Sequence, residues 1–229
     1  MTDEWVGPAD MLAAGLDALG IELTASQQAQ LLEFVAILGR WNRTYNLTRI
    51  TDPAEMVRLH LLDSLSLLPH LNGSRVLDVG TGAGLPGLPL AIAAPERAFV
   101  LLDSVAKKIR FCRHVITSLG LKNASAVHGR VERLGDSDGF PTVPARAVGS
   151  ATQLVQWSEH LLHRDGQWLL MKGRYPAQEL EELESMGENV RSISIELPGG
   201  PAGDGSRERD SGQIVRHLVR ICRGAPERE

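Results

Sequence analysis

Asp78, Gly80, Gly82 and Gly84 are the residues of this chain best spaced for chemistry. They follow directly on the apolar run Val76-Leu77-Asp78-Val79, which reads as a buried strand from Arg75 to Val79. Glycines in alternation let the backbone turn sharply and let a ligand approach its N–H groups. Pro86 and Pro89 come next, and proline is at home in the first turn of a helix. Strand, glycine loop and helix N-terminus together predict a cofactor cradle at the carboxyl end of a parallel strand. Gly82, Gly84 and Gly87 also satisfy the dinucleotide spacing G-x-G-x-x-G, a weak signal by itself. Asp78 is more discriminating. A carboxylate inside the strand suits a cationic ligand, such as a sulfonium bearing an α-amino group, and is awkward beside a pyrophosphate.

A second acid supports the cradle. Asp103 closes the next strand, 19 residues after Gly84, where a carboxylate can accept both hydroxyls of a ribose. Asp103 and Ser104 also suit the N-cap of the following helix; position relative to the glycine loop favours the ribose. Val131 and Glu132, after a third strand, offer an apolar wall and a polar edge contact for an adenine. Glu132 could equally pair with Arg130 or Arg133 at the surface.

No catalytic nucleophile is legible. There is no Ser-His-Asp spacing, no His-Glu-x-x-His and no Walker lysine. Neither Cys112 nor Cys222 follows a proline, which argues against covalent attack on cytosine C5. The Asp/Asn-Pro-Pro-Tyr signature of exocyclic-amine methylation is absent too. The fourth-strand region offers Ala145-Arg146-Ala147 instead. Such a site fits a target atom that carries a lone pair and no proton, guanine N7 for example. Catalysis would then be positioning and desolvation, with no general base.

The elements that must hold these residues alternate in a simple way. Residues 1–72 read as helical. A first helix runs from about Ala9 to Leu19, and a second opens on the capping box Thr24-x-x-Gln27 with Leu31, Val35 and Leu38 on one face. A third opens at Asp52-Pro53-Ala54-Glu55 and runs through Met56, Leu59, Leu62 and Leu65 to about Leu71. From Arg75 strands and helices alternate, which predicts a parallel sheet with helices on both faces. Strands are expected at 99–102, 124–128, 142–148 and 168–171, the 142–148 strand weakened by Pro144. Helices are expected at about 88–94, 105–119, 152–162 and 176–186. Two final strands, 190–197 and 213–222, have no helix between them and predict an antiparallel edge. The glycine-rich stretch 199–212 reads as a flexible hairpin loop rather than a substrate lid.

Composition sets the frame. The chain has 229 residues, 43% of them hydrophobic and 4% aromatic, so the core rests on Leu, Val, Ile and Ala. No apolar run is long enough to span a bilayer, and the acidic start Met1-Thr2-Asp3-Glu4-Trp5 lacks an export pattern. A cytoplasmic protein is expected, with no membrane partner. Two cysteines without ligand spacing predict buried, reduced thiols and no metal. The net charge of −4 argues against nucleic acid, but its distribution argues for it. Residues 104–133 carry seven Lys or Arg (Lys107, Lys108, Arg110, Arg113, Lys122, Arg130, Arg133) against Glu132 alone. That is enough to steer a polyanion.

Several motifs in sequence order carry a family resemblance: Trp41-Asn42-x-x-Tyr45-Asn46-Leu47-Thr48, His60-x-x-Asp63-Ser64, and Asp78-Val79-Gly80-Thr81-Gly82-x-Gly84-Leu85-Pro86-Gly87. They are followed by Leu102-Asp103-Ser104-x-x-Lys107-Lys108, Arg130-Val131-Glu132, Arg146-Ala147, Lys172-Gly173 and Arg216-His217-Leu218. From Leu16 to Cys222 the chain resembles the ribosomal RNA small subunit methyltransferase G family, also called glucose-inhibited division protein B. The resemblance implies a class I, Rossmann-like methyltransferase fold: a doubly wound, mostly parallel seven-stranded sheet with an antiparallel edge. It implies an N-terminal helical cap over residues 1–72 and a catalytic body over 73–229. It implies S-adenosylmethionine as cofactor and methylation of guanine N7 in the 530 loop of 16S rRNA, with 16S rRNA or the 30S subunit as partner. The expected cofactor residues are Asp78, Gly80, Gly82, Gly84, Leu85, Asp103, Ser104, Val105, Val131, Glu132 and Arg146, the last also facing the RNA. Lys107, Lys108, Arg110, Arg113, Lys172 and Arg216 are the expected phosphate contacts. A monomer is expected. The chain departs from the family pattern at Ala145, at Leu59 before the histidine, and at Pro141 and Pro144. The rival readings are a methyltransferase of a small molecule or protein, and a non-catalytic assembly factor.

Overall fold

The computed structural model describes residues 7–146, 149–186, 188–197 and 214–222. The glycine-rich stretch 199–212 lies outside these residues.

The first helices begin where their caps dictate. α1 (Pro8–Leu19) opens on a proline and stops at Gly20, which takes the left-handed conformation. α2 (Ala25–Tyr45) is closed at its start by the full Thr24/Gln27 capping box. It ends at Asn46, also left-handed with φ 50°. Asp52 then caps α3 (Pro53–Met56) by accepting from Glu55 N–H. The chain continues without a break through a π-helical turn (Val57–Leu62) into α4 (Asp63–Leu65). A regular helix to Leu71 was expected here. The helix widens instead, ends at Leu65, and is followed by a short 3-10 turn at Leu68–His70. The widened turn leaves Leu59 only partly buried while His60 and Asp63 are buried.

Strands and helices then alternate: β1 (Arg75–Val79), α5 (Gly87–Ala93), β2 (Ala98–Asp103), α6 (Ala106–Leu119) and β3 (Ala124–His128). β4 (Phe140–Arg146), α7 (Ala151–Ser158), β5 (Leu162–Lys172), α8 (Ala177–Ser185), β6 (Asn189–Leu197) and β7 (Ile214–Cys222) complete the body. The sheet order is β3-β2-β1-β4-β5-β7-β6, with the first five strands parallel and β7 antiparallel to both its neighbours. This is the expected seven-stranded sheet.

Side chains alternate cleanly between its faces. Val76, Phe99, Leu101 and Leu169 point into one core with α5, α6 and the helices before β1; Leu77, Val79, Leu102, Trp168 and Leu170 point into the other with α7 and α8. Helices N-terminal to β1 therefore share a continuous core with the sheet.

Two strands differ from expectation. β4 is central despite Pro144. Its ladder toward β1 is carried at Val76↔Thr142 and Val79↔Ala145, on either side of the proline that has no N–H to give. β5 is much longer than 168–171; its start pairs Leu162 with Phe140, with a register shift before Thr142. The helix expected to reach residue 162 stops at Ser158, followed by a 3-10 turn. Cys112 is buried as expected; Cys222 is only partly so.

Candidate functional site

The strand order reverses between β1 and β4, the point in an open α/β sheet where ligands bind beyond the carboxyl ends of the strands. Two cavities lie there. The first, about 290 Å³, lies over β1 and β2 and is lined by Gly80, Asp103, Ser104, Val105, Val131 and Glu132, with Lys108 and Trp157 beside them. The second, about 500 Å³, lies over β4 and β5 under the π-helical turn; Leu59, His60, Asp63, Arg146, Lys172 and Arg216 line it.

The glycine loop is built from beneath by Asp78. This carboxylate is fully buried, and one oxygen accepts from Thr81 Oγ1 (2.6 Å) and Gly87 N–H (2.8 Å). A β-carbon on Gly87 would stand 2.7 Å from that oxygen. Gly84 has φ 77°, and a side chain there would collide with buried Leu88. Gly84→Ala is therefore expected to cost at least about 2 kcal/mol, from left-handed strain and overpacking together. Thermal unfolding would read this; a variant with the wild-type midpoint would refute it.

Asp78's other oxygen, Oδ1, is buried with no hydrogen-bond partner among the described residues. Burial raises the carboxyl from 3.8 to about 6, against the pull of its bonds from Thr81 and Gly87. A buried acceptor without a donor fits a ligand that brings positive charge. Asp103 sits on the opposite wall of the loop. Its oxygens accept from Gly82 N–H (3.0 Å) and Val105 N–H (2.8 Å), and Lys108 Nζ pairs with it at 3.3 Å. Asp103 thus holds loop and α6 together, and its remaining lone pairs are available to a ribose. Cys112 packs behind the loop with its Sγ 3.8 Å from Gly82 O, and burial pushes its thiol up, so it is no nucleophile. This donor set fits S-adenosylmethionine.

The second cavity is a clasp between the helices and the sheet. Asp63 receives Arg146 Nη1 at 3.4 Å and Arg216 Nε at 3.2 Å. Arg146 Nη1 also donates to the Leu59 carbonyl in the π-helical turn (3.1 Å). Burial pushes the Asp63 carboxyl up while the two guanidiniums pull it back. His60 joins Thr48 Oγ1 through Nε2 (2.9 Å) and the Leu59 carbonyl through Nδ1 (3.0 Å). Burial, aided by Arg146, lowers its pKa from 6.5 to about 4.

The structure brings Gly80, Asp103, Ser104, Val105, Val131 and Glu132 to one cavity wall. Asp78, Gly82, Gly84 and Leu85 stand behind it and shape the loop. Arg146 lines the second cavity, with Lys172 and Arg216. Of the expected phosphate contacts, Lys108 turns to Asp103, Lys172 pairs with Glu179 and Arg216 with Asp63. Lys107 donates to the Tyr45 carbonyl, Arg110 lies 5.5 Å over the Tyr45 ring, and Arg113 donates to the Ala126 carbonyl. Trp157 was missed: it stands exposed on α7, off the face of Leu154, Val155 and Ser158, and no motif marked it. Among the described residues there is no cluster able to hold a metal and no helix long and apolar enough to cross a membrane.

Comparison with known proteins agrees with this geometry. Residues 27–197 match the family model described as rRNA small subunit methyltransferase G. A ribosomal RNA small subunit methyltransferase G from Marinobacter nauticus is 44% identical over 98% of this chain and 98% of its own length. One of the same name from Methylococcus capsulatus is 50% identical over 82% of this chain and 92% of its own. Among solved structures, a SAM-dependent O-methyltransferase from Thermotoga maritima superposes with a TM-score of 0.56, over 84% of this chain and 73% of that one. Its 15% identity speaks to the fold alone.

Proposed function

The chain belongs to the rRNA small subunit methyltransferase G family, and from that premise we propose that it methylates N7 of a guanine in the 530 loop of 16S rRNA, using S-adenosylmethionine. The observation that carries this reading is the pair of cavities flanking the strand-order switch, one built around two carboxylates and a glycine loop, the other around cations.

The cofactor, when bound, supplies an electrophilic methyl carbon on a sulfonium. The chain's own residues do the rest. Gly80 and the loop backbone admit the ligand closely, Asp103 takes the ribose hydroxyls, and Val131 with Glu132 holds the adenine. Asp78 Oδ1 supplies the acceptor behind the loop. In the second cavity His60 is neutral at physiological pH and a weak base, and Asp63 is committed to two guanidiniums. Neither is suited to strip a proton. A nitrogen lone pair needs none, so the residues need only fix the base in line with the methyl carbon and exclude water. Arg146 and Arg216 are the groups placed to meet the target nucleotide, which must come from a loop or be flipped out. The helices α1 to α4 act as a cap, sharing a core with the body that begins at β1. The acting unit is proposed to be a monomer, in the cytoplasm.

The test is transfer of labelled methyl to 16S rRNA, offered naked and as 30S subunits, with borohydride and aniline cleavage to locate the product. One cut in the 530 loop is expected. Transfer at another position, or to no RNA while the cofactor still binds, would refute the reading.

A further inference from the structure

A third cavity stands apart from these two. A groove of about 1450 Å³ runs between α1, α2 and the 46–53 segment, and the proposed reaction does not use it. Its floor is aliphatic, with Leu32, Val35 and Met56. Its rim carries Arg40, Arg43 and Arg49, and among the described residues no acidic one lines it. The chain's net charge is −4, so three arginines on one rim run against the overall balance. Arg40 pairs with Glu33 at 3.1 Å. Arg43 and Arg49 form no ion pair among the described residues, and both are exposed.

The groove is also what the Trp41-to-Thr48 motif builds. Asn42 donates to the Thr48 carbonyl (3.0 Å) and accepts from Thr48 N–H (2.9 Å), so the chain folds back on α2 directly after left-handed Asn46. Trp41 fixes α2 against α6, 5.5 Å from the Phe111 ring. The segment that results is one chain thick and has two sides. Asn46, Thr48, Arg49 and Thr51 line the groove, while Ile50 lines the cavity of His60 and Asp63. Thr48 itself bonds to His60 across that wall.

We propose that this groove is a second RNA site, holding the phosphodiester strand that flanks the target nucleotide. The inference rests on the activity proposed above. Arginine rims with uncharged polar side chains suit phosphates, and an aliphatic floor suits ribose and base faces. An acidic peptide would match the charges as well. The shared wall favours the strand: a nucleotide in the reaction cavity brings its own neighbours to the groove, whereas a peptide must come from elsewhere. The motif's role is then to seat a substrate strand beside the reacting base.

The experiment is Arg43→Ala/Arg49→Ala in the full chain. RNA binding is measured from low to moderate salt, alongside steady-state methylation and cofactor affinity. Loss of two phosphate contacts should flatten the log–log salt slope by about 1.4. The KM for RNA should rise about tenfold, with kcat and cofactor Kd at wild-type values. Arg164→Ala removes an exposed charge near the start of β5, away from both cavities, and should leave the slope unchanged. A benzophenone side chain in place of exposed Ala36 on the groove wall should crosslink to RNA within 30S subunits. An unchanged slope and KM in the double variant, or crosslinks to a ribosomal protein in place of RNA, overturns the proposal. Binding and transfer are read separately. A wild-type chain that binds RNA through Arg43 and Arg49 yet methylates none refutes the assigned reaction and leaves the groove standing.

Discussion

Asp63→Ala is expected to destabilise the fold by about 2–3 kcal/mol and to lower kcat/KM for RNA methylation about 100-fold. Removing one member of a buried ion pair typically costs about 3–5 kcal/mol, because the surviving charge is left desolvated and alone. Here two guanidiniums lose their carboxylate at once. Their side chains keep 25% and 26% exposure, so water recovers part of the loss and the lower figure applies. The kinetic effect has a geometric origin. Asp63 fixes Arg146 from β4 and Arg216 from β7, and a misplacement of about 1 Å at a positioned group can cost about 100-fold. Urea unfolding and single-turnover transfer measure the two effects. A variant with wild-type stability would show that the clasp contributes nothing.

The second large effect is a pair of opposed pH profiles. Asp78 titrates near 6 in the folded chain against 3.8 ordinarily, so between about pH 4 and 6 the folded state holds a proton that the unfolded state has released. Its contribution is present below 3.8 and is lost as pH rises through 6, by about 3 kcal/mol. His60 titrates near 4 against 6.5, so on acidification the unfolded chain protonates first. Its contribution is present above 6.5 and is lost as pH falls through 4, again by about 3 kcal/mol. Between pH 4 and 6 these two contributions oppose each other. Asp78→Asn should leave His60 alone, giving a fold that gains stability from pH 4 to 6.5. His60→Gln should give one that loses it. Denaturant midpoints at several pH values test both, and parallel profiles for the two variants would sink the assignment. Asp78→Asn should also weaken cofactor binding, since an amide nitrogen replaces the orphaned acceptor.

What was legible in the sequence was local. Val76 to Gly87 announced strand, loop and helix because hydrophobic alternation, glycine and proline act on their own neighbours. Thr24 with Gln27, and Asp52 with Pro53, marked helix starts for the same reason. Asp103 was placed by its distance from the glycine loop and Glu132 by its position after the third strand. The clasp was not legible: Asp63 and Arg216 are 153 positions apart, and only a strand order that inserts β7 beside β5 unites them. Pro144 weakened the signal of β4 without erasing it, and the interrupted ladder is tolerated where the facing stretches Val76–Val79 and Gln167–Leu170 are buried. The π-helical turn left no sequence mark, since Met56, Leu62 and Leu65 fit an ordinary helix equally well. The basic run of residues 104–133 was visible, but three of the six expected phosphate contacts hold carboxylates of the chain itself.

The placement of β7 bears on how the chain can be made. β6 leaves the ribosome before β7, but it borders only β7 in the sheet, so it has no partner until residues 214–222 are synthesised. A message cut short between the end of β6 and the start of β7 thus removes two strands from the sheet, not one. It also leaves Asp63, made a quarter of the way through synthesis, without Arg216. The last strand is the latch for a helix translated long before it.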